Sequence, residues 1–155
     1  MKFSNQVKVD APIETVFEAL VEFETYEKAA AKRGVKTQRS ERTPKDLLGT
    51  KWDVRFSLKG KPSQAGLEIA ECVAPTRLGI NLDSRNLTGK IVCDLTSVSQ
   101  SRTHLKVTAE IRPLTFPARL LVQSFKLTKK RLDSRFEDAL SEFASRAEKK
   151  PQRGA

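Results

Sequence analysis

Apolar and polar residues alternate along most of the chain up to Pro113, and beyond Phe116 the repeat lengthens to that of a helix. Phe3, Asn5, Val7 and Val9 share one side of a first strand. Asp10 then reads as an N-cap, with Pro12 and Glu14 in the first turn, where a missing N–H and a negative charge both suit a helix start. Ile13, Val16, Phe17, Leu20 and Val21 recur on one helical face, and a second short helix is predicted over Tyr26 to Arg33, ended by Gly34. Strands resume at Val35. Trp52, Val54, Phe56 and Leu58 occupy one face of the next strand, with Lys51, Asp53, Arg55 and Ser57 on the other. A turn at Gly60 and Pro62 leads to Leu67, Ile69 and Val73, and Ala74-Pro75-Thr76 turns again. Leu78, Ile80 and Leu82 then alternate with polar or small neighbours. Ile91, Cys93 and Leu95 follow a loop or hairpin turn over Ser84 to Gly89, and Leu105, Val107, Ala109 and Ile111 follow a polar turn over Ser99 to Arg102. One apolar and one polar face per strand predict an antiparallel sheet that is wet on one side.

The last third reads as one long helix from Phe116 to about Lys149. A helix of roughly 30 residues spans about 45 Å, so it needs an extended surface to lie in. Placed at helical spacing, Leu121, Phe125, Leu132, Phe136, Ala139, Leu140, Phe143 and Ala147 form one stripe centred near Leu121 and Leu132. Ser124, Thr128 and Arg135 fall within or beside it, with Arg131 at its edge. The second half of the helix is therefore expected to pack as core, and the mixed first half to face a cavity with a polar group in it. Ser124 and Thr128 have another use open to them, bonding back to helix carbonyls, while the arginines reach out to solvent.

Composition limits the function classes. The 155 residues fit one domain, expected over 1–148, followed by a basic tail over 149–155 that is expected to be disordered. Met1 to Glu14 has no apolar signal core, no apolar run is long enough to span a bilayer, and the two cysteines are too few for a disulfide framework or a zinc site. The expected compartment is the cytoplasm. The net charge is +10, and it is uneven: Arg112 to Ala155 holds 11 Lys/Arg against 5 Asp/Glu. Such an excess either keeps the protein soluble or serves an anionic partner.

The order of strand, two short helices, about six strands and a long helix resembles the START-like superfamily and its helix-grip fold. The opening run Val7-Lys-Val-Asp-Ala-Pro-Ile-Glu-Thr-Val-Phe-Glu-Ala-Leu20 carries the resemblance most specifically. Glu71-Cys-Val-Ala-Pro75-Thr-Arg-Leu-Gly-Ile80 is similar to the mid-sheet turn, and Thr103-His-Leu-Lys-Val-Thr-Ala-Glu-Ile111 to the last strand. The chain is most similar to the polyketide cyclase/dehydrase-type branch known as SRPBCC. The resemblance implies an α+β fold, with a curved antiparallel sheet of about six to seven strands wrapped around the C-terminal helix. It also implies a deep apolar cavity between them. Carried over by position, its lining is Trp52, Val54, Phe56, Leu67, Ile69, Leu78, Ile80, Leu82, Ile91, Leu95, Leu105 and Val107 from the sheet. The helix adds Leu121, Ser124, Phe125, Thr128 and Arg131.

The residues for catalysis are harder to find. His104, the only histidine, is out of phase with Leu105 and Val107 and is expected to face solvent. Glu71 is in phase with the inward residues, either as a buried anchor or at a strand end where the phase is lost. No metal-ligand cluster, phosphate loop or nucleophilic constellation is present, and neither a cofactor nor a catalytic residue is expected. Three functions follow in order: a binder of a hydrophobic small molecule or lipid without catalysis; a cyclase- or dehydratase-like enzyme; and a basic surface formed by Arg119, Lys126, Lys129, Lys130 and Arg131 for an anionic membrane, RNA or the ribosome.

Overall fold

In the computed structural model, which describes residues 1–40, 47–58 and 60–151, the chain opens with β1 (Lys2–Val9), α1 (Ile13–Leu20) and α2 (Phe23–Lys32). Six more strands follow: β2 (Lys36–Arg39), β3 (Lys51–Leu58), β4 (Lys61–Val73), β5 (Arg77–Ser84), β6 (Leu87–Ser99) and β7 (Arg102–Pro113). It closes with α3 (Phe116–Leu127) and α4 (Lys129–Glu148). The seven strands make one antiparallel sheet in the order β1-β7-β6-β5-β4-β3-β2. Strands β2 to β7 follow one another across it, and β1 closes on β7.

Register aligns the apolar alternation into rows across the inner face. Trp52 sits opposite Leu67, Leu67 opposite Leu82, and Leu82 opposite Gly89. Ile69, Ile80, Ile91 and Ala109 make the next row, and Leu78, Cys93 and Val107 a third. One deviation redirects the pattern. A β-bulge between Ile69 and Glu71 inserts one residue into β4. Beyond it Cys72 pairs with inward Leu78, while Glu71 moves to the outer face opposite Gly79. There Arg77 bonds Glu71 at 2.9 Å and Asp94 at 2.7 Å. Glu71 is therefore not an interior anchor, and Val73 is exposed rather than packed. A Cβ at position 79 would lie 3.1 Å from that of Glu71, which accounts for glycine beside the bulge.

The helix starts also differ from expectation. Asp10 does not cap α1. Pro12 holds the N-cap position without a side-chain bond, and Asp10 instead pairs with Arg102 at 2.9 Å. The entry to α1 is held from the sheet, where buried Thr103 donates to the carbonyl of Ala11 at 2.8 Å. The helix α2 begins at Phe23, one turn before the expected start. The long C-terminal helix is broken at Thr128, whose φ of −109° and ψ of 22° are not helical. Thr115 caps α3 by accepting from the amide of Ala118 at 3.3 Å, with Pro117 in the first turn. Lys150, in the expected tail, ion-pairs with Glu22, and residues 152–155 lie outside the described residues.

The core lies under one half of the sheet. Val16, Phe17 and Ala19 of α1 and Leu140, Phe143, Ala144 and Ala147 of α4 join Val9, Ile69, Leu78, Cys93, Leu95, Leu105 and Val107 in a single cluster. The helix α4 packs along β1. Leu140, Phe143 and Ala147 of the expected stripe are buried there, joined by Ala144, whereas Ala139 is exposed. The guanidinium of Arg146 lies over the rings of Tyr26 and Phe143, at 5.6 Å and 5.4 Å.

Burial pushes the Cys93 thiol up to about 12, with Asp94 adding to the shift. Burial also pushes Tyr26 up to about 12, against the opposing charge of Arg146; its hydroxyl donates to the carbonyl of Ala19 at 3.3 Å. The unfolded chain therefore releases these protons near 9 and 10, before the folded one does. Their contribution to stability is complete below pH 9 and is lost as the pH rises towards 12.

Two predictions follow from this core. Leu105→Ala, at a side chain only 1% exposed, is expected to cost about 2–5 kcal/mol in urea unfolding; a loss under 1 kcal/mol would mean that the site is not close-packed. The melting temperature is expected to fall from pH 9 to pH 11, and less steeply in Cys93→Ala than in the wild type. Equal slopes would remove Cys93 as a source of the alkaline loss.

Candidate functional site

Away from the core, the other half of the inner face opens onto a cavity of about 1480 Å³. Its sheet walls come from β3 (Trp52, Val54, Phe56, Leu58), β4 (Ala65, Leu67) and β5 (Leu82, Ser84). Its roof is the first part of α3, through Pro117, Ala118, Leu120 and Leu121. The β5–β6 turn closes one end with Arg85, Asn86 and Leu87. That turn is tied to the start of α3: Leu114 N–H donates to the Asn86 carbonyl at 2.7 Å, and the Thr115 hydroxyl lies 3.5 Å from Asn86 Oδ1.

Trp52 is the wall between cavity and core. It is 8% exposed, and its indole N–H donates to Glu27 of α2 at 2.9 Å. Phe23 meets its ring edge-on with centroids 4.8 Å apart. Arg39 lies over Phe23 at 5.9 Å and reaches Glu27 at 3.4 Å. The indole is thus held at its N–H by Glu27 and against the ring of Phe23, and it borders the cavity.

Polar groups around the cavity are mostly engaged elsewhere. Ser84 Oγ donates to the carbonyl of Leu87 at 2.8 Å and accepts from its amide at 3.1 Å. Ser63 Oγ donates to the carbonyl of Lys61 at 3.3 Å. Asp53 alternates with the inward residues of β3 and is held by Gln64 at 2.8 Å and Arg55 at 3.5 Å. Lys61 and Arg85 are exposed cations in the lining. Among the described residues the lining includes no histidine, cysteine or tyrosine, so neither group with a raised pKa, Tyr26 or Cys93, borders the cavity.

The residues expected to line a cavity separate into three groups. Trp52, Val54, Phe56, Leu67, Leu82 and Leu121 do surround it. Ile69, Leu78, Leu95, Leu105 and Val107 are instead closed within the core, with Ile80 packed against it, because α1 and α4 already cover that half of the sheet. Ile91 is in phase with the inward row but 36% exposed, outside the lining.

The helical positions depart further. Ser124 Oγ donates to the Leu121 carbonyl at 2.7 Å, and Thr128 Oγ1 donates to Phe125 at 3.2 Å. Both hydroxyls thus serve helix backbone at the α3–α4 break, neither borders the cavity, and Phe125 does not border it either. Arg131 is exposed on α4. His104 lies on the outer face, with Nε2 3.0 Å from Gln6 Oε1. The lining residues that sequence reasoning missed include Ala65, Leu58, Leu87, Pro117 and Leu120, together with the rim cations Lys61 and Arg85. Leu58 was visible in the alternation of β3. The turn and the α3 residues depend on which way α3 faces.

No protein-family model matches the sequence, and no curated protein sequence matches it. Solved structures do match along nearly the whole chain. The Zhui aromatase/cyclase from Streptomyces sp. R1128 is 12% identical over 96% of this chain and 93% of its own, with a TM-score of 0.66. Norcoclaurine synthase from Thalictrum flavum, solved in complex with dopamine and hydroxybenzaldehyde, is 9% identical over 98% of this chain and 89% of its own, at 0.65. A START superfamily protein from Mycobacterium smegmatis is 14% identical over 89% of this chain and 98% of its own, at 0.57. Identities this low speak to architecture alone, and the architecture this chain shares with these structures is an α+β helix-grip fold, an antiparallel sheet with a long C-terminal helical segment.

Proposed function

We propose that the chain binds a hydrophobic small molecule or lipid in the cavity between α3 and strands β3 to β5, without catalysing a reaction. The observation that carries this reading is the cavity itself, about 1480 Å³ with Trp52, Val54, Phe56, Leu67, Leu82 and Leu121 on its walls. Ligand pockets of roughly 300–1,000 Å³ already enclose drug-sized molecules, so this volume suits a long-chain or multi-ring ligand. Lys61 and Arg85 favour an acidic or polar group at the open end of such a molecule. They take the orienting role that Ser124 and Thr128 cannot fill while bonded to their own helix.

A cyclase-like reaction ranks second. It needs an acid or base inside the cavity. The carboxylates of the described lining are Asp53 and Asp83, and both stand at outward positions of their strands, opposite Gly66.

The uncharged fluorophore 1-aminoanthracene is expected to bind saturably to the purified protein with enhanced emission. Val54→Trp, which places an indole in the cavity, is expected to weaken that binding by tenfold or more with an unchanged far-UV circular dichroism spectrum. Absence of saturable binding, or equal binding by the variant, would sink the proposal.

A further inference from the structure

The side of α3 turned away from the protein carries Phe116, Leu120 and Leu127, which are 71%, 53% and 88% exposed. At helical spacing the three lie within about 40° of one another. Scattered exposed leucines are ordinary, but a row of three on one helix, with no described element over it, is a surface patch. Arg119 and Lys126 run along one flank, and Lys129, Lys130 and Arg131 continue beyond the break at Thr128, all exposed. None of these five cations has an ion-pair partner among the described residues. From Ile111 to Leu132 the sequence holds six Lys/Arg and no Asp or Glu.

We infer that α3 and the first turn of α4 form a docking surface for an anionic lipid bilayer. The apolar row enters the boundary between headgroups and acyl chains, and the cations meet the lipid phosphates. An interfacial helix needs this combination of an exposed apolar row and a basic flank. A second copy of the chain fits worse, because a twofold contact brings the same cations together with no acid to answer them. RNA would use the charge but gives Leu120 and Leu127 no task, since bases are held by aromatic stacking. The surface does not depend on the cavity being filled. No described helix is long and apolar enough to cross a membrane.

Sedimentation of the full chain with vesicles tests the inference, using phosphatidylcholine alone or mixed with phosphatidylglycerol. The protein is expected to pellet with the mixed vesicles only, and less as salt rises. The double variant Leu120→Ser, Leu127→Ser is expected to bind at least about tenfold more weakly. Lys126→Glu with Lys130→Glu is expected to weaken binding by a similar factor or more. Both should keep the wild-type melting temperature, since all four side chains are exposed. Val54→Trp is expected to leave vesicle binding unchanged even if it abolishes binding of a cavity probe; loss of vesicle binding in that variant would assign the contact to the cavity and overturn the α3 surface. Four other results would also overturn it. These are failure to pellet with mixed vesicles, binding indifferent to the leucine pair, binding of RNA in place of vesicles, or a solution dimer that Leu127→Ser converts to monomer.

Discussion

A seven-stranded sheet is wider than the helix packed against it. With strands about 4.8 Å apart the sheet measures about 29 Å across, whereas a helix with its side chains covers about 10 Å. The helix α4 lies along β1, and α1 adds cover over β6 and β7. Their apolar side chains are consumed there, in the cluster with Leu78, Leu95 and Leu105. The inner face of β3 beyond Trp52, the first part of β4 and the end of β5 is also apolar, and the start of α3 lies across the cavity from it. The cavity is what remains when one apolar sheet face exceeds the helical surface available to cover it. Trp52 marks the border, tied to α2 by its bond to Glu27.

The bulge in β4 protects the same interior. Strict alternation from Leu67 and Ile69 would carry Glu71 inward, and an unpaired carboxylate in an apolar core is costly. One inserted residue moves Glu71 to Arg77 on the outer face and gives its inward place to Cys72. The helical break acts on α3 in a comparable way. Ser124 and Thr128 spend their hydroxyls on the carbonyls near the break, so the polar residues that looked suited to a ligand instead support the change from α3 to α4.

These two local events explain what could and could not be read from the sequence. The strands were legible because period-2 alternation in Trp52 to Leu58 or Leu105 to Ile111 has no competing interpretation, and register follows from burial. The inward set was therefore largely right, yet alternation identifies a face without telling which part of it is covered. Val54 and Leu105 carry the same signal; one borders the cavity and the other is sealed beneath α1 and α4. The C-terminal helices were harder, because α3 has large apolar residues on opposite sides. In α4 the stripe through Leu140, Phe143 and Ala147 did pack as core, with Ala144 beside it, whereas in α3 the buried positions are the small Ala118 and Val122, which lay outside the stripe. Size is a poor guide where backbone approaches backbone. The outward row of Phe116, Leu120 and Leu127 also lay outside that stripe.

Leu120 connects the exposed apolar row to the cavity, since it is exposed and also borders the cavity. Around α3 the side facing the core is followed by the cations, then by the exposed apolar row, then by the side over the cavity. A hydrophobic ligand has little solubility in water and concentrates in bilayers, so a cavity is useful only if such a molecule can reach it without crossing much solvent. On the two readings proposed above, the docking row and the cavity roof are adjacent sides of one short helix, tied at its start to the turn that closes the cavity. Contact with a bilayer along one side would bring lipid next to Leu120 and the rim cation Arg85. The sheet and α4 would keep their packing, because the core cluster includes no residue of α3.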